Sequence, residues 1–452
     1  MIGLIKDASQ LTTTYFKSYE QREEAFRKRV FSLIPRKYSG PRLFWKDFVN
    51  VSLEELNDFT KHPLAFITSN PRDGLAFGTP WQVLRAAALC AREAKQVYRR
   101  SVEDIAEEFD MVDLLHQPVR TLSGGETVKL ALAKASVASI YMDKLVIASP
   151  FSWLSRENAV FFQKLFGRYD RLEIPVELLA LEGEDSAKPV TASEFRGGLK
   201  KDPVDFRISL EDVCIPLGSS LNPIYYRQVQ ARVDDFEETL HSPCLIVGEN
   251  GRGKSLIAKI LAGAILYKGH ARCMRDEKSG PPRLLFQDVI TQTLLRSFNA
   301  IAGSTIDVNG FKPVEIYEKI LAEYCAYFTA VSETDPRENL TGGTGFWSLL
   351  ELKAMLLAVR LCGQTSALIL DEPDWGLTRT SAVALVAAII EVAHSFGIPV
   401  VLISHKPWWA TVANSIIQVE RTRKTGEGRG VYAFEIRLSC KKNRGESLGP
   451  SG

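Results

Sequence analysis

The sequence predicts an α/β protein in which one parallel-sheet fold is written twice in tandem. Three observations carry that expectation. First, Cys244-Leu245-Ile246-Val247, then Gly248-Glu249-Asn250-Gly251-Arg252-Gly253-Lys254-Ser255, then an apolar-periodic run from Leu256 to Ala262 read as strand, glycine loop and helix. The middle segment fits the phosphate-binding pattern G-x-x-x-x-G-K-[ST] in the context that pattern requires. Second, strand-like apolar runs alternate with helical patterns in both halves, which implies a parallel sheet covered on its faces. Third, landmarks recur. Leu145-Val146-Ile147-Ala148-Ser149-Pro150 lines up with Leu368-Ile369-Leu370-Asp371-Glu372-Pro373, and the run from Ile174 to Leu181 lines up with that from Ile398 to His405. Ala148 to Leu181 is 33 residues and Asp371 to His405 is 34.

Taken in order, residues 18–34 read as a helix with Phe26, Val30, Leu33 and Ile34 on one side, stopped by Pro35. Arg42 to Trp45 and Leu64 to Ile67 read as strands, the second leading into the turn-rich Ser69 to Gly74. Helices are expected over Trp81 to Tyr98 and Val102 to Leu115, and another opens at Thr127 after Leu122-Ser123-Gly124-Gly125-Glu126. Strands follow at Lys144 to Pro150 and Pro175 to Ala180. Residues 183–205 are polar and without period, and read as a linker. The alternation from Phe206 onward suits an antiparallel layer ahead of the glycine loop. Then come Leu284 to Gln287, a helical stretch to Thr329, a glycine-rich loop at 340–345 and a helix over Leu349 to Leu361. The strand before Asp371, a helix over Ser381 to Ser395 and the strand before Ser404-His405 complete the second half. The expected domains are 1–182, 206–438 and a polar tail at 439–452.

Composition narrows the function. A length of 452 residues suits two to three domains with ample core. With 56 Lys+Arg against 54 Asp+Glu, no global field points to nucleic acid or a membrane surface. Residues 1–46 alone are basic, ten Lys/Arg against four Asp/Glu, which reads as a solvated face. Seven scattered cysteines without a C-x-x-C pair argue against a zinc site or a disulfide framework and fit a reducing compartment. No signal peptide is legible, and the apolar run from Ala382 to Ile390 is too short to span a bilayer. The expectation is a cytoplasmic protein, or one held at the inner face of a membrane by a partner.

The glycine loop has its own chemistry. Glycines let backbone N–H groups turn inward around an anion, and the helix that follows adds its positive N-terminal end. Lys254 can reach β- and γ-phosphates as a point charge, and Ser255 can ligate Mg²⁺.

The P-loop, Gln287 after a strand, Leu122-Ser123-Gly124-Gly125-Glu126, Asp371-Glu372-Pro373 after four apolar residues and the late Ser404-His405 together resemble the ATP-binding-cassette (ABC) ATPases. The resemblance covers nearly the whole chain as two cassettes, of the soluble twin-cassette type. It implies two tandem P-loop NTPase domains, each a parallel sheet flanked by helices with a helical subdomain, the antiparallel layer being kept in the second. It implies ATP and Mg²⁺, with the metal held by Ser255, Gln287 and Asp371. Glu372 would orient or deprotonate the attacking water, Gln287 would touch the metal and the water, and His405 would contact the γ-phosphate. Gly248 to Leu256 would wrap the nucleotide, with Tyr225 or Tyr226 against adenine.

The first copy departs from the pattern. Ala148 and Ser149 stand where the carboxylates should be, Leu181 where the histidine should be, and Ser69 where the glutamine should be. Leu11-Thr12-Thr13-Thr14-Tyr15-Phe16-Lys17-Ser18 occupies the P-loop position without a glycine, and β-branched and aromatic residues resist positive φ. Yet Ser123, Gly124, Gly125 and Glu126 are intact, and in this family that signature serves the nucleotide held by the opposite cassette. The second copy's signature is irregular: counting 54 on from Gln287 reaches Thr341, in Leu340-Thr341-Gly342-Gly343-Thr344, whereas counting 23 back from Asp371 reaches Ser348. The resemblance therefore implies one composite ATP site within a monomer, with the usual Asp after the Glu-Pro segment replaced by Thr378 and Ser155. Three processes fit: an energy subunit docking a membrane transport partner near Gln287, a soluble regulator at nucleic acid or the ribosome, and a nucleotide-gated scaffold with little turnover. The short linker weighs against nucleic acid as the main partner.

Overall fold

The computed structural model describes residues 11–31, 64–68, 75, 78–93, 100–119, 122, 124–139, 142–152, 156–186, 188, 190–191, 195, 203–216, 229–249, 251–276, 280–287, 289, 312–331, 348–362, 364–425 and 432–442. It divides into two compact units, Met1–Asp185 and Ser186–Gly452. The expected strand at Arg42 to Trp45 lies outside the described residues.

The first unit contains β1 (Leu11–Phe16), α1 (Tyr19–Phe31), β2 (Leu64–Ile67), α2 (Pro80–Glu93), α3 (Val102–Glu108), α4 (Gly124–Ala138), β3 (Lys144–Ala148), α5 (Arg156–Arg171) and β4 (Val176–Leu181). The strands lie in the order β1-β4-β3-β2, and every pairing is parallel. One core joins α4 and α5 to this sheet through Leu130, Leu132, Leu165, Tyr169, Ile147 and Leu178. The sequence reading passed over α5. Its signal is Phe162, Leu165, Phe166 and Tyr169, all buried at helical spacing. The helix expected over Val102 to Leu115 stops earlier, at Glu108. Asp110 takes φ 52, and the amides of Asp110 and Met111 turn back to Glu107 and Ala106. This Schellman closure reverses the chain so that Phe109 and Met111 both bury. In contrast, α4 opens three residues before the expected Thr127, so that Gly124 and Gly125 lie in its first turn.

The second unit contains β5 (Asp205–Pro216), β6 (Val229–Val233), β7 (Phe236–His241), β8 (Cys244–Val247), α6 (Lys254–Leu261), β9 (Lys268–Met274), β10 (Arg283–Leu285), α7 (Pro313–Val331), α8 (Leu349–Leu361), β11 (Leu368–Asp371), α9 (Arg379–Ser395), β12 (Val400–Ile403), β13 (Ser415–Thr425) and β14 (Tyr432–Lys442). Its sheet runs β10-β11-β12-β8-β13-β14-β6-β5-β7, with β9 on β5. The strip β10-β11-β12-β8 is parallel throughout and repeats β2-β3-β4-β1 of the first unit strand for strand. Antiparallel pairings follow around β5 and between β13 and β14. The internal repeat is thus a repeat of topology.

Two boundaries differ from the sequence reading. Part of the expected linker is anchored on the second unit: Trp408 Nε1 donates to the Ser186 carbonyl at 2.7 Å, and Val190 N donates to the Trp408 carbonyl at 3.0 Å. Val190 and Phe195 are buried, so two apolar side chains in a polar stretch are withdrawn from water. The expected tail at 439–452 begins inside β14, whose pairing with β13 continues to Lys442 opposite Ser415. No described helix is long and apolar enough to cross a membrane.

Ile246 lies on β8 between β12 and β13 and is fully buried. Ile246→Ala should cost about 2–5 kcal/mol of stability, seen as a lower denaturant midpoint at an unchanged slope; a loss under about 0.5 kcal/mol would contradict this packing.

Candidate nucleotide site

The parallel strip places its strand ends together, and the candidate residues sit at those ends. In the P-loop, a Cβ on Gly248 would lie 2.5 Å from the Val419 carbonyl oxygen, so only glycine lets β8 pass β13 into the loop. Gly253 takes φ 105, and a Cβ there would meet Ile436 Cδ1 at 2.8 Å. Gly253 caps α6, whose first residue is Lys254. The Lys254 ammonium is buried and donates to the carbonyls of Gly248 (2.7 Å) and Glu249 (3.1 Å) across the loop. Arg252 pairs with Glu249 and donates to the Arg421 carbonyl at 3.0 Å, and Arg421 donates back to the Gly251 carbonyl at 2.8 Å. The loop is therefore held to β13 by reciprocal arginine bonds, which the motif pattern did not reveal. Leu256 is half-buried on α6, and Asn250 lies outside the described residues.

Ser255 Oγ donates to Asp371 Oδ1 at 3.0 Å, joining α6 to the end of β11. Burial, and then the neighbouring Glu372 carboxylate, push the Asp371 carboxyl up to about 7. Glu372 follows in a left-handed backbone, φ 50, with its N–H donating to the Ile403 carbonyl of β12 at 2.8 Å. Both of its carboxylate oxygens face His405 Nδ1 at 3.0 Å. Burial pushes the Glu372 carboxyl up, but His405, by charge and hydrogen bond, outweighs it together with Lys254 and Lys406, and the group is held below its ordinary value. His405 Nε2 is buried and without a hydrogen-bond partner among the described residues. Gln287 is exposed just past the end of β10, the strand beside β11. Thr378 caps α9, accepting from Ser381 N at 3.2 Å, which gives that departure from the family pattern a local structural role.

The first unit keeps the backbone of this site and not its chemistry. Ala148 pairs with Leu179 as Asp371 pairs with Ile403, and Ser149 takes φ 53 with its N–H donating to the Leu179 carbonyl at 2.9 Å. Leu181 is fully buried two residues beyond Leu179, as His405 stands two beyond Ile403. The supposed P-loop remnant needs correction. Leu11–Phe16 is not a loop but strand β1, paired with β4 as far as Phe16 opposite Leu181. Register makes Thr14 the counterpart of Ile246, since each pairs with the matching residue of its neighbour. Residues 14 to 19 then span what residues 246 to 254 span in the second unit, three residues fewer. Lys17 is exposed, and Ser18 caps α1 by accepting from Gln21 N at 3.3 Å. Arg22 of α1 is fully buried and its Nη1 donates to Ser149 Oγ, with Glu23 beside its Nη2 at 3.1 Å. A resident guanidinium thus meets the residue that stands where Glu372 stands.

Of the retained signature, Gly124 is exposed, Gly125 buried and Glu126 half-buried in the first turn of α4; Ser123 lies outside the described residues, as do Ser69, Tyr225, Tyr226 and Leu340 to Thr344. Ser348 is described and is the N-cap of α8, in a capping box with Glu351.

No protein-family model matches the chain. Among curated proteins it is similar to the zinc import ATP-binding protein ZnuC of Buchnera aphidicola subsp. Acyrthosiphon pisum, 24% identical over 202 residues, 44% of this chain and 74% of that one. The chain is thus similar in sequence to ATP-binding-cassette ATPases. It is also 30% identical over 181 residues to the xylose import ATP-binding protein XylG of Shigella flexneri, covering 36% of this chain and 33% of that one. Among solved structures, a model of ribosome-bound archaeal Pelota and ABCE1 contains a chain with the same fold, at TM-score 0.55 and 14% identity over 96% of this chain and 75% of that one. Those relatives are ATP-binding proteins, and the similarity is consistent with an ATP hydrolase.

The raised Asp371 carboxyl gives a signed expectation. Its neutral form is favoured in the folded state, so stability is fullest below the unfolded value near 4 and falls as pH rises toward about 7. In nucleotide-free protein, Asp371→Asn should raise Tm at pH 8 by at least ~2 °C, and the gain should shrink as the pH is lowered to 5. An equal shift at both pH values would contradict the assignment.

Proposed function

We propose that this protein is an ABC ATPase that hydrolyses ATP at one site, built on the second unit and completed by the signature of the first. The observation that carries the reading is the meeting of Glu372 and His405 at the ends of adjacent parallel strands, beside Ser255 and Asp371. Glu372, kept ionised by the imidazole, orients or deprotonates the attacking water. His405 turns Nδ1 to Glu372 and leaves Nε2 for a γ-phosphate oxygen. Lys254 exchanges the loop carbonyls for phosphate oxygens, and the amides of Gly251 to Ser255 cradle the β-phosphate.

Magnesium fits these residues. A hydroxyl and a carboxylate 3.0 Å apart are the hard oxygen donors that ion takes. Ser255 and Asp371 would hold it, with Gln287 as a further ligand, and it would supply charge neutralisation at the β- and γ-phosphates.

On the far side of the γ-phosphate, donors would come from the Ser123 hydroxyl and the backbone amides of Gly124, Gly125 and Glu126, at the positive end of α4. The first unit's own nucleotide position lacks the carboxylates and the histidine and holds Arg22 against Ser149, which supports a single-site reading. ATP would draw the two units together and hydrolysis would release them, within a monomer.

For the process driven, we favour the energy subunit of an import system, acting at the cytoplasmic side of a membrane partner. ZnuC and XylG are named as import ATP-binding proteins, and Gln287 is exposed at the strand end where such a partner would dock. A ribosome-associated role is the second reading, because the tandem fold likeness to the ribosome-bound structure spans 96% of the chain. Co-purification from membrane and ribosome fractions separates the two.

Glu372→Gln should lower ATP turnover by about 10²–10⁴-fold; a variant within twofold of wild type sinks the assignment. Ser123→Arg should reduce turnover at least tenfold, and equilibrium binding with the Glu372→Gln protein should saturate at one ATP per chain. Two tight sites, or full turnover in Ser123→Arg, would overturn the composite reading.

A further inference from the structure

Lys353 lies on the second turn of α8 and is 1% exposed. Its Nζ makes two 2.6 Å hydrogen bonds, to the carbonyls of Pro373 and Trp375. Those carbonyls flank Asp374 in the turn that leaves β11 directly after Glu372. The turn is tight: Trp375 N donates to the Glu372 carbonyl at 3.0 Å, Leu377 N donates to the Asp374 carbonyl at 3.2 Å, and both Glu372 and Gly376 take positive φ. From its other side the turn is tied to the segment carrying His405. Ser404 Oγ donates to Asp374 Oδ1 at 3.1 Å, and Lys406 Nζ stands 3.6 Å from Asp374 Oδ2, over the Trp408 ring.

A lysine so placed is costly as mere filling. An ammonium removed from water loses several kcal/mol of hydration, and an apolar side chain of the same length would pack without that loss. Here burial pulls the Lys353 amine down to about 7. The first unit shows the contrast. Lys129 of α4 pairs with the exposed Asp110 at 3.0 Å and lies over the Phe161 ring, and among the described residues it makes no bond to the turn at Ser149.

We propose that Lys353 is a positioning residue for hydrolysis: by clamping the Pro373 and Trp375 carbonyls it fixes the strained turn that aims the Glu372 carboxylate at His405 and at the attacking water. This rests on the reading of Glu372 as the group that activates water. The clamp acts on the turn and not on the P-loop, so it governs kcat and leaves nucleotide affinity alone. It also ties the helix that begins at Ser348 to the catalytic turn of the same unit.

The test is Lys353→Met, similar in length and without donors, measured on the full chain beside Glu372→Gln. The expected result is at least a tenfold fall in kcat, a KM for MgATP and a Kd for the non-hydrolysable analogue AMPPNP within threefold of wild type, and a Tm that does not fall. In the Lys353→Met/Glu372→Gln double variant, turnover should be no lower than in Glu372→Gln alone, because the clamp acts through that carboxylate. Turnover within twofold of wild type, or an equal loss of AMPPNP binding and turnover, overturns the proposal. If Lys353→Met does not fold, Lys353→Leu, which also lacks donors and is smaller, is held to the same measurements, and failure of both to fold also overturns it. Should Glu372→Gln itself leave turnover intact, the reading of the site fails; should it abolish turnover while Lys353→Met does not lower it, only this inference fails.

Discussion

The end of β11 depends on its neighbours. Asp371 and Glu372 are two adjacent carboxylates in a place from which water is excluded, and neither would stay there unaided. The sheet register answers this. β12 brings His405 against Glu372, and α6, which opens after β8, brings Ser255 against Asp371 and the Lys254 ammonium close by. The compensating groups arrive from both sides of the strand end, and parallel pairing of β11, β12 and β8 sets them at one level. The charge problem and the topology are therefore one constraint.

The first unit shows what happens when that constraint is lifted. With Ala148 and Ser149 in place of the two acids, nothing demands an imidazole, and Leu181 fills its place in the core. The glycine loop shortens by three residues and β1 simply continues its pairing. The left-handed residue at Ser149 nevertheless remains, a conformation that costs a non-glycine residue of order 1 kcal/mol. The fold needs the bend to leave β3, whereas it does not need the carboxylate. Backbone geometry and site chemistry have separated within one chain.

Much of this was legible in the sequence, and the misses have physical causes. The strands beside the site and their repeat could be read because those strands are short, mostly apolar and tied to fixed-spacing landmarks such as Asp371 and His405. The P-loop was legible because Gly248 and Gly253 are demanded by contacts with Val419 and Ile436. The helix α5 was missed between two clear strands, although Phe162, Leu165 and Tyr169 carried its period. The end of α3 was misplaced because an aspartate, Asp110, takes the left-handed position that glycine usually signals. Local pattern could not show that Arg22 reaches Ser149 or that Lys353 reaches Pro373, since partners 127 and 20 residues apart meet only in the folded chain.

The anchored stretch before β5 bears on how the protein can be divided. The second unit begins at Ser186, and the hydrogen bond from Val190 to Trp408 and the burial of Val190 and Phe195 mark it better than the polarity of the intervening residues does. A fragment started at 206 would cut into β5, which begins at Asp205, and would lose the hydrogen bonds that Ser186 and Val190 make with Trp408, three residues from His405. A fragment started at 186 keeps them. The same reasoning makes this joint a poor place for insertions or fused tags, although its composition reads as a spacer.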